Sequence, residues 1–186
     1  MAKVVRKTEA GSAIVVVDLV NDFVTGVFGN ERALRTAVRT GEFLQKVGNR
    51  LPLIFTMDTH LENDPEFAVW GRHCVAGTEG SMLFKGLTAF GGQRITKRHF
   101  DSFYDSDLDG VLRANRISHI FISGISTDIC VLHTAAGAFF RNYDISVISD
   151  LCSSIAEENH NIALENMRKN YGARIITVED AMSEIL

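Results

Sequence analysis

Cys130 lies in the segment Gly124-Ile125-Ser126-Thr127-Asp128-Ile129-Cys130-Val131, after the apolar run Ile117 to Ile122 and before an Ala-rich stretch of helical period. That order reads as strand, tight turn and helix, with the thiol in the first helical turn. Unpaired N–H groups and the helix dipole lower a thiol's pKa there, and the same N–H groups can receive an oxyanion. A free cysteine is otherwise a small buried hydrophobe, so a nucleophile needs partners from elsewhere in the chain. Asp18, at the end of the apolar run Ser12 to Val17, suits the general acid/base. Lys97 closes a short strand, Gln93 to Thr96, and supplies a cation that favours the thiolate; the alternative for it is a solvated surface ammonium.

Asp58 and His60 point the same way in an extended segment, so both could ligate one ion. Glu66 and His73, further along the same excursion, would complete an N/O donor set suited to zinc, iron or manganese. Such residues on a loop are otherwise simply solvated. Trp70, the only tryptophan, could wall an aromatic pocket with Phe23, Phe100 and Phe103, where core packing is the competing role for each phenylalanine.

These residues need a frame. Strands are expected at Ser12 to Val17, Leu51 to Met57, Gln93 to Thr96, Ile117 to Ser123, Ile145 to Ser149 and Ala173 to Val178. Helices are expected at about Glu31 to Gly48, where Leu34, Val38, Phe43, Leu44 and Val47 recur at helical spacing, then at Met82 to Leu87, Leu108 to Asn115, Asp128 to Arg141, Glu157 to Tyr171 and the last residues. Residues 1 to 11 read as a short polar leader. The alternation predicts an α/β fold, a doubly wound, six-stranded, mostly parallel sheet with helices on both faces. In such sheets ligands bind beyond the carboxyl ends of the strands. Asp18, Asp58 with His60, Lys97 and the turn to Cys130 all fall at that edge.

The 186 residues suit one domain, 1–186, and 46% hydrophobic content is ordinary for a globular chain. A net charge of −4 with dispersed Lys and Arg gives no footprint for nucleic acid or an anionic membrane. No apolar run is long enough to span a bilayer, and no signal-peptide pattern follows the basic start. Three cysteines, Cys74, Cys130 and Cys152, without CxxC spacing fit reduced thiols in a cytoplasm. Cys74, Cys152, His99 and His133 are read as structural, His133 as hydrogen-bonded in the interior.

Val17-Asp18-Leu19-Val20-Asn21-Asp22-Phe23, Asp58-x-His60, Trp70-Gly71-Arg72-His73-Cys74-Val75, Lys97-Arg98-His99-Phe100-Asp101-Ser102-Phe103 and the Cys130 segment together resemble the isochorismatase-like cysteine hydrolase superfamily. Within it the chain is most similar to the nicotinamidases, from about Ala13 to Val178. The resemblance implies a triad of Asp18, Lys97 and Cys130. It also implies a non-proline cis peptide between Ile125 and Ser126, with the N–H groups of Ser126 and Cys130 aimed at an oxyanion. The family's metal site maps onto Asp58, His60, Glu66 and His73, and its ring-stacking residues onto Phe23 and Trp70. Glu66 stands where many nicotinamidases have His, Phe100 where the lysine motif often has Tyr, and the His60 to Glu66 stretch is short.

The expected activity is a metal-dependent cysteine amidohydrolase, with zinc first and iron or manganese as alternatives. It would convert nicotinamide to nicotinate and ammonia through a thioester, with Phe23, Trp70 and Phe100 holding the ring and Lys97 keeping Cys130 ionised. An amidase on a ureido substrate such as N-carbamoylsarcosine is the alternative. A vinyl-ether hydrolase of the isochorismatase type would not need the thiol, and a silent scaffold would not need the triad. The partner is a small-molecule amide, and the family's habit implies a homo-oligomer.

Overall fold

A computed structural model describes residues 11–186; the leader expected at residues 1 to 11 lies outside them except for Gly11. The chain runs β1 (Gly11–Val17), α1 (Asn21–Val24), α2 (Glu31–Val47), β2 (Leu53–Asp58), α3 (Phe67–Trp70), β3 (Gln93–Lys97), α4 (Leu108–Ala114), β4 (Ile117–Ile125), α5 (Leu132–Phe140), β5 (Asp144–Ser153), α6 (Glu157–Tyr171), β6 (Arg174–Ile176) and α7 (Val178–Ile185). The six strands form one sheet in the order β3-β2-β1-β4-β5-β6. Every pairing is parallel, so the expected mostly parallel sheet is entirely so.

The central strands are apolar without a break because alternate side chains enter opposite cores. Ala13, Val15 and Val17 join Ile120, Ile122 and Ala135 on one face, under α4, α5 and α6. Ile14 and Val16 join Phe43, Leu44 and Phe121 on the other, under α2 and α7. On α2, Asn30 accepts the Ala33 N–H at the start, and Gly48, at φ +60°, ends the helix as expected. Its apolar spacing is only partly a core face: Phe43, Leu44 and Val47 are buried, whereas Leu34 and Val38 are exposed. The small Ala33 and Ala37 take the buried positions instead.

Other boundaries move for local reasons. The helix expected over Met82 to Leu87 contracts to a 3-10 turn, Lys85–Leu87, around Gly86. The sixth strand stops at Ile176, because Thr177 and Asp180 form a reciprocal capping box that starts α7. The fifth strand continues beyond Ser149 to Ser153. Its pairing with β4 jumps from Ile122↔Val147 to Gly124↔Cys152, so β5 bulges while β4 advances two residues. Polar Ser149 and Asp150 sit in that bulge, which is why the strand looked finished.

Strands β1, β2 and β3 lie to one side and β4, β5 and β6 to the other, so connections diverge between β1 and β4. Gly124 pairs with Val17, the last residue of β1, at that divergence. At φ +120°, an added Cβ would lie 2.0 Å from the Val17 carbonyl oxygen, inside β1's backbone. Gly124→Ala should cost about 3 kcal/mol or more, from strain and strand separation. Urea unfolding of the two proteins would measure it; a loss within experimental error would mean that β1 and β4 need no close approach.

Candidate active site

The strand ends at the divergence point carry the chemistry. Asp18 follows β1 with φ +54°, a left-handed turn in a non-glycine residue, and its N–H is held by the Thr56 carbonyl at 2.9 Å. Asp58 and Lys97 are in register as the last residues of β2 and β3. Cys130 comes from the turn after β4, where the Ile125–Ser126 peptide is cis, as the resemblance implies. That turn is not the α-helical first turn expected from the sequence. Residues Thr127–Val131 form a wider π-type turn, in which the Ser126 carbonyl takes the N–H groups of Ile129 and Val131, each at 3.1 Å, and α5 begins only at Leu132.

These ends place Lys97 at the centre of a buried cluster. Its Nζ lies 2.6 Å from Asp18 Oδ2, 3.3 Å from Asp58 Oδ1 and 3.8 Å from Cys130 Sγ. Lys97 and Asp18 are fully buried, so the lysine is not the solvated ammonium of the alternative reading. Burial favours its neutral form, but the charges of Asp18, Cys130 and Asp58 outweigh that and raise its pKa well above the ordinary value. Burial pushes Asp18 up to about 6, against the opposing pull of Lys97. Burial likewise raises the Cys130 thiol well above its ordinary value, with Lys97 opposing and the Asp18 and Asp58 charges adding to it. Lys97 is therefore the one group of the cluster that favours an ionised Cys130, and burial and the two carboxylates oppose it.

Asp58 connects this cluster to a second one. Its Oδ2 lies 2.8 Å from His60 Nε2 and 3.6 Å from His73 Nε2. Glu66 Oε1 stands 3.9 Å from each of those nitrogens. Burial opposes the charge of Asp58, but Lys97 and hydrogen bonds from the two histidines hold its carboxyl well below the usual range. His73 Nδ1 donates to the Gly71 carbonyl at 2.8 Å, and His60 Nδ1 faces Asp64 Oδ2 at 3.0 Å. Both imidazoles therefore turn Nε2 toward the carboxylates. Asp58, His60 and His73 bring one donor atom each within 4.8 Å of one another, a set able to hold a metal ion, and half-buried Glu66, 3.9 Å from both imidazole nitrogens, stands beside them as a further oxygen donor compatible with zinc, iron or manganese.

A single pocket receives both clusters. Asp58, Glu66, His73, Ser126 and Cys130 line it with Phe23, Trp70 and Phe100. Phe103, proposed with them, is instead in the core against Tyr143 at a ring distance of 5.5 Å. Sequence reasoning missed Phe28, Ser153, Ser154 and Ile155 as lining residues. Phe28 stands 5.0 Å from the His73 ring and 6.5 Å from Trp70, which no spacing reveals. The other three follow from the β5 extension. His133 bonds to the Ile129 carbonyl at 2.7 Å but is exposed rather than interior, and its ring lies 5.5 Å from Phe100. Cys74 and Cys152 are buried free thiols, as expected of packing residues, and His99 is exposed against Tyr104.

An isochorismatase-domain model matches residues 12–180. The chain belongs to the isochorismatase family. The N-carbamoylsarcosine amidase of Thermoplasma acidophilum is 33% identical, with a TM-score of 0.82 over 91% of this chain and 97% of that one. The pyrazinamidase/nicotinamidase of Streptococcus mutans is 31% identical, with a TM-score of 0.81 over 89% of this chain and all of the other. The nicotinamidase of Escherichia coli is 28% identical over 90% of this chain and 95% of its own length. Those relatives are amide hydrolases by name, and this chain is a hydrolase of the same family. Among the described residues, no helix is long and apolar enough to cross a membrane.

In this isochorismatase-family hydrolase, removing the central cation would leave two buried carboxylates facing each other. Lys97→Ala should destabilise the fold by roughly 3–5 kcal/mol at neutral pH. The loss should shrink as pH falls through about 6, because Asp18 then protonates and carries no charge. Chemical denaturation at pH 5 and pH 7.5 would check it; an equal loss at both would show that uncompensated charge is not the cause.

Proposed function

We propose that the protein hydrolyses nicotinamide to nicotinate and ammonia with Cys130 as nucleophile, Asp18 as acid and base, and Lys97 as the cation that holds them. The reading takes residues 1–186 as one hydrolase domain. The observation that carries it is the shared carboxylate: Asp58 touches Lys97 through one oxygen and the two imidazoles through the other, in a pocket walled by aromatic rings. A planar amide with a basic ring nitrogen has two ends to satisfy, and this pocket offers two clusters.

Asp58, His60, Glu66 and His73 would hold the divalent ion, with zinc the first choice and iron or manganese compatible with the same donors. Bound there, the ion would supply a Lewis acid that orients a ring nitrogen. Phe23, Trp70 and Phe100 would pack against the ring. Asp18 takes the proton from Cys130, and the thiolate attacks the carboxamide carbon. The Ser126 and Cys130 N–H groups receive the oxyanion. As the tetrahedral intermediate collapses, Asp18 gives that proton to the departing ammonia, leaving a thioester. Water then loses a proton to Asp18 and breaks the thioester, and the proton returns to the sulfur. Lys97 stays charged throughout and keeps Asp18 oriented.

A ureido amidase is the second reading, favoured by the 33% identity to the N-carbamoylsarcosine enzyme. The lining residues oppose it for a substrate with its own carboxylate: they include Asp58 and Glu66 but no Lys or Arg. A cytoplasmic setting belongs to the same proposal, supported by the three free thiols. So does self-association, for which exposed Phe139, Phe140 and Ile162 offer apolar surface.

Purified protein should release ammonia from nicotinamide when loaded with zinc, iron or manganese and not when stripped, and Cys130→Ala should reduce release to background. Release from ureido compounds alone would move the assignment to the second reading. Because Asp18 must be ionised to accept the thiol proton, kcat/KM should fall as pH drops through about 6. Asp18→Asn should be inactive across the range; a profile flat from pH 5 to pH 8 would remove Asp18 as the base.

A further inference from the structure

We propose that Asp64 is a positioning residue of the metal centre, holding His60 in the one tautomer that leaves Nε2 free to ligate. The proposal rests on the reading that Asp58, His60, Glu66 and His73 bind a divalent cation. His60 is fully buried and lies between two carboxylates, with Nε2 2.8 Å from Asp58 Oδ2 and Nδ1 3.0 Å from Asp64 Oδ2. A neutral imidazole has a single ring proton. Asp58 draws that proton onto Nε2, the nitrogen that must present its lone pair to an ion. Asp64 draws it onto Nδ1, which frees Nε2. His73 meets the same requirement differently: its Nδ1 donates to the Gly71 carbonyl, which can only accept.

The other oxygen of Asp64 accepts the Glu66 N–H at 3.0 Å, so one carboxylate fixes the ring of one donor residue and the backbone of another. Capping the turn before α3 is the ordinary use of an aspartate in Asp64-Pro65-Glu66. That use needs one oxygen and does not explain why the second faces a buried imidazole nitrogen. A serine at this position separates the two roles, since its hydroxyl can cap the turn but is too short to serve Nδ1 as well.

The test is zinc affinity by chelator competition on the full chain, with Asp64→Ser and Asp64→Ala compared with the parent and His73→Ala as the ligand-loss control. Both Asp64 variants should bind zinc about 10- to 100-fold more weakly, with the melting temperature of the metal-free chain unchanged for Asp64→Ser. Nitrogen-15 NMR of the His60 ring, recorded above pH 9 because, against the effect of burial, Asp58 and Asp64 raise its pKa to about 9, should show the proton on Nδ1 in the parent and on Nε2 in Asp64→Ser. Affinity of Asp64→Ser within about twofold of the parent, while His73→Ala loses the ion, would overturn the role of Asp64 and leave the metal centre standing. A parent chain that takes up no zinc would overturn the metal reading itself, and the ring proton would then decide the role of Asp64 alone.

Discussion

A lysine ammonium with no access to water sets the terms for this molecule. Desolvating such a charge costs several kcal/mol unless carboxylates compensate it at close range. Lys97 meets that condition by taking Asp18 on one side and Asp58 on the other, each the terminal residue of a neighbouring segment of the sheet edge. Those three positions cannot drift independently. The order β3-β2-β1-β4 brings Lys97, Asp58, Asp18 and the turn to Cys130 side by side, and Gly124 leaves no room for a side chain against the end of β1, directly before that turn.

The same arrangement sets opposing influences on the thiol. Lys97 favours its ionised form, while burial and the charges of Asp18 and Asp58 raise its pKa. A helix dipole at Cys130 would add to the effect of Lys97, but the π-type turn delays α5 until after that residue.

Much of this was legible in the sequence because it is encoded locally. Unbroken β-branched runs mark strands buried on both faces, and a polar residue at the end of each run marks the edge where a ligand can sit; Asp18, Asp58 and Lys97 are found that way. What escaped depends on tertiary context. Phe28 belongs to the pocket because the loop after α1 folds back onto His73 and Trp70. Leu34 and Val38 fit the helical period but miss the core, because alanines fill the positions nearest the sheet. Phe103 has the composition of a pocket residue and the environment of a core one. The length of β5 was hidden by two polar residues in a bulge, a feature that a period-two reading treats as an ending.

That bulge separates two jobs within one strand. Its lower half is locked to β4 and β6 residue by residue, while its upper half rejoins β4 after an excursion of its own and delivers Ser153, Ser154 and Ile155 to the pocket wall. The excursion has anchors of its own: Ile148 and Leu151 are fully buried, Ser149 donates to the Ile176 carbonyl, and Asp150 accepts the Val178 N–H and pairs with Arg39. The wall is thus fixed from α2, β6 and the start of α7, whereas the lysine and its carboxylates are fixed from β1, β2 and β3. One pocket is thereby assembled from two halves of the sheet that share none of these anchoring contacts.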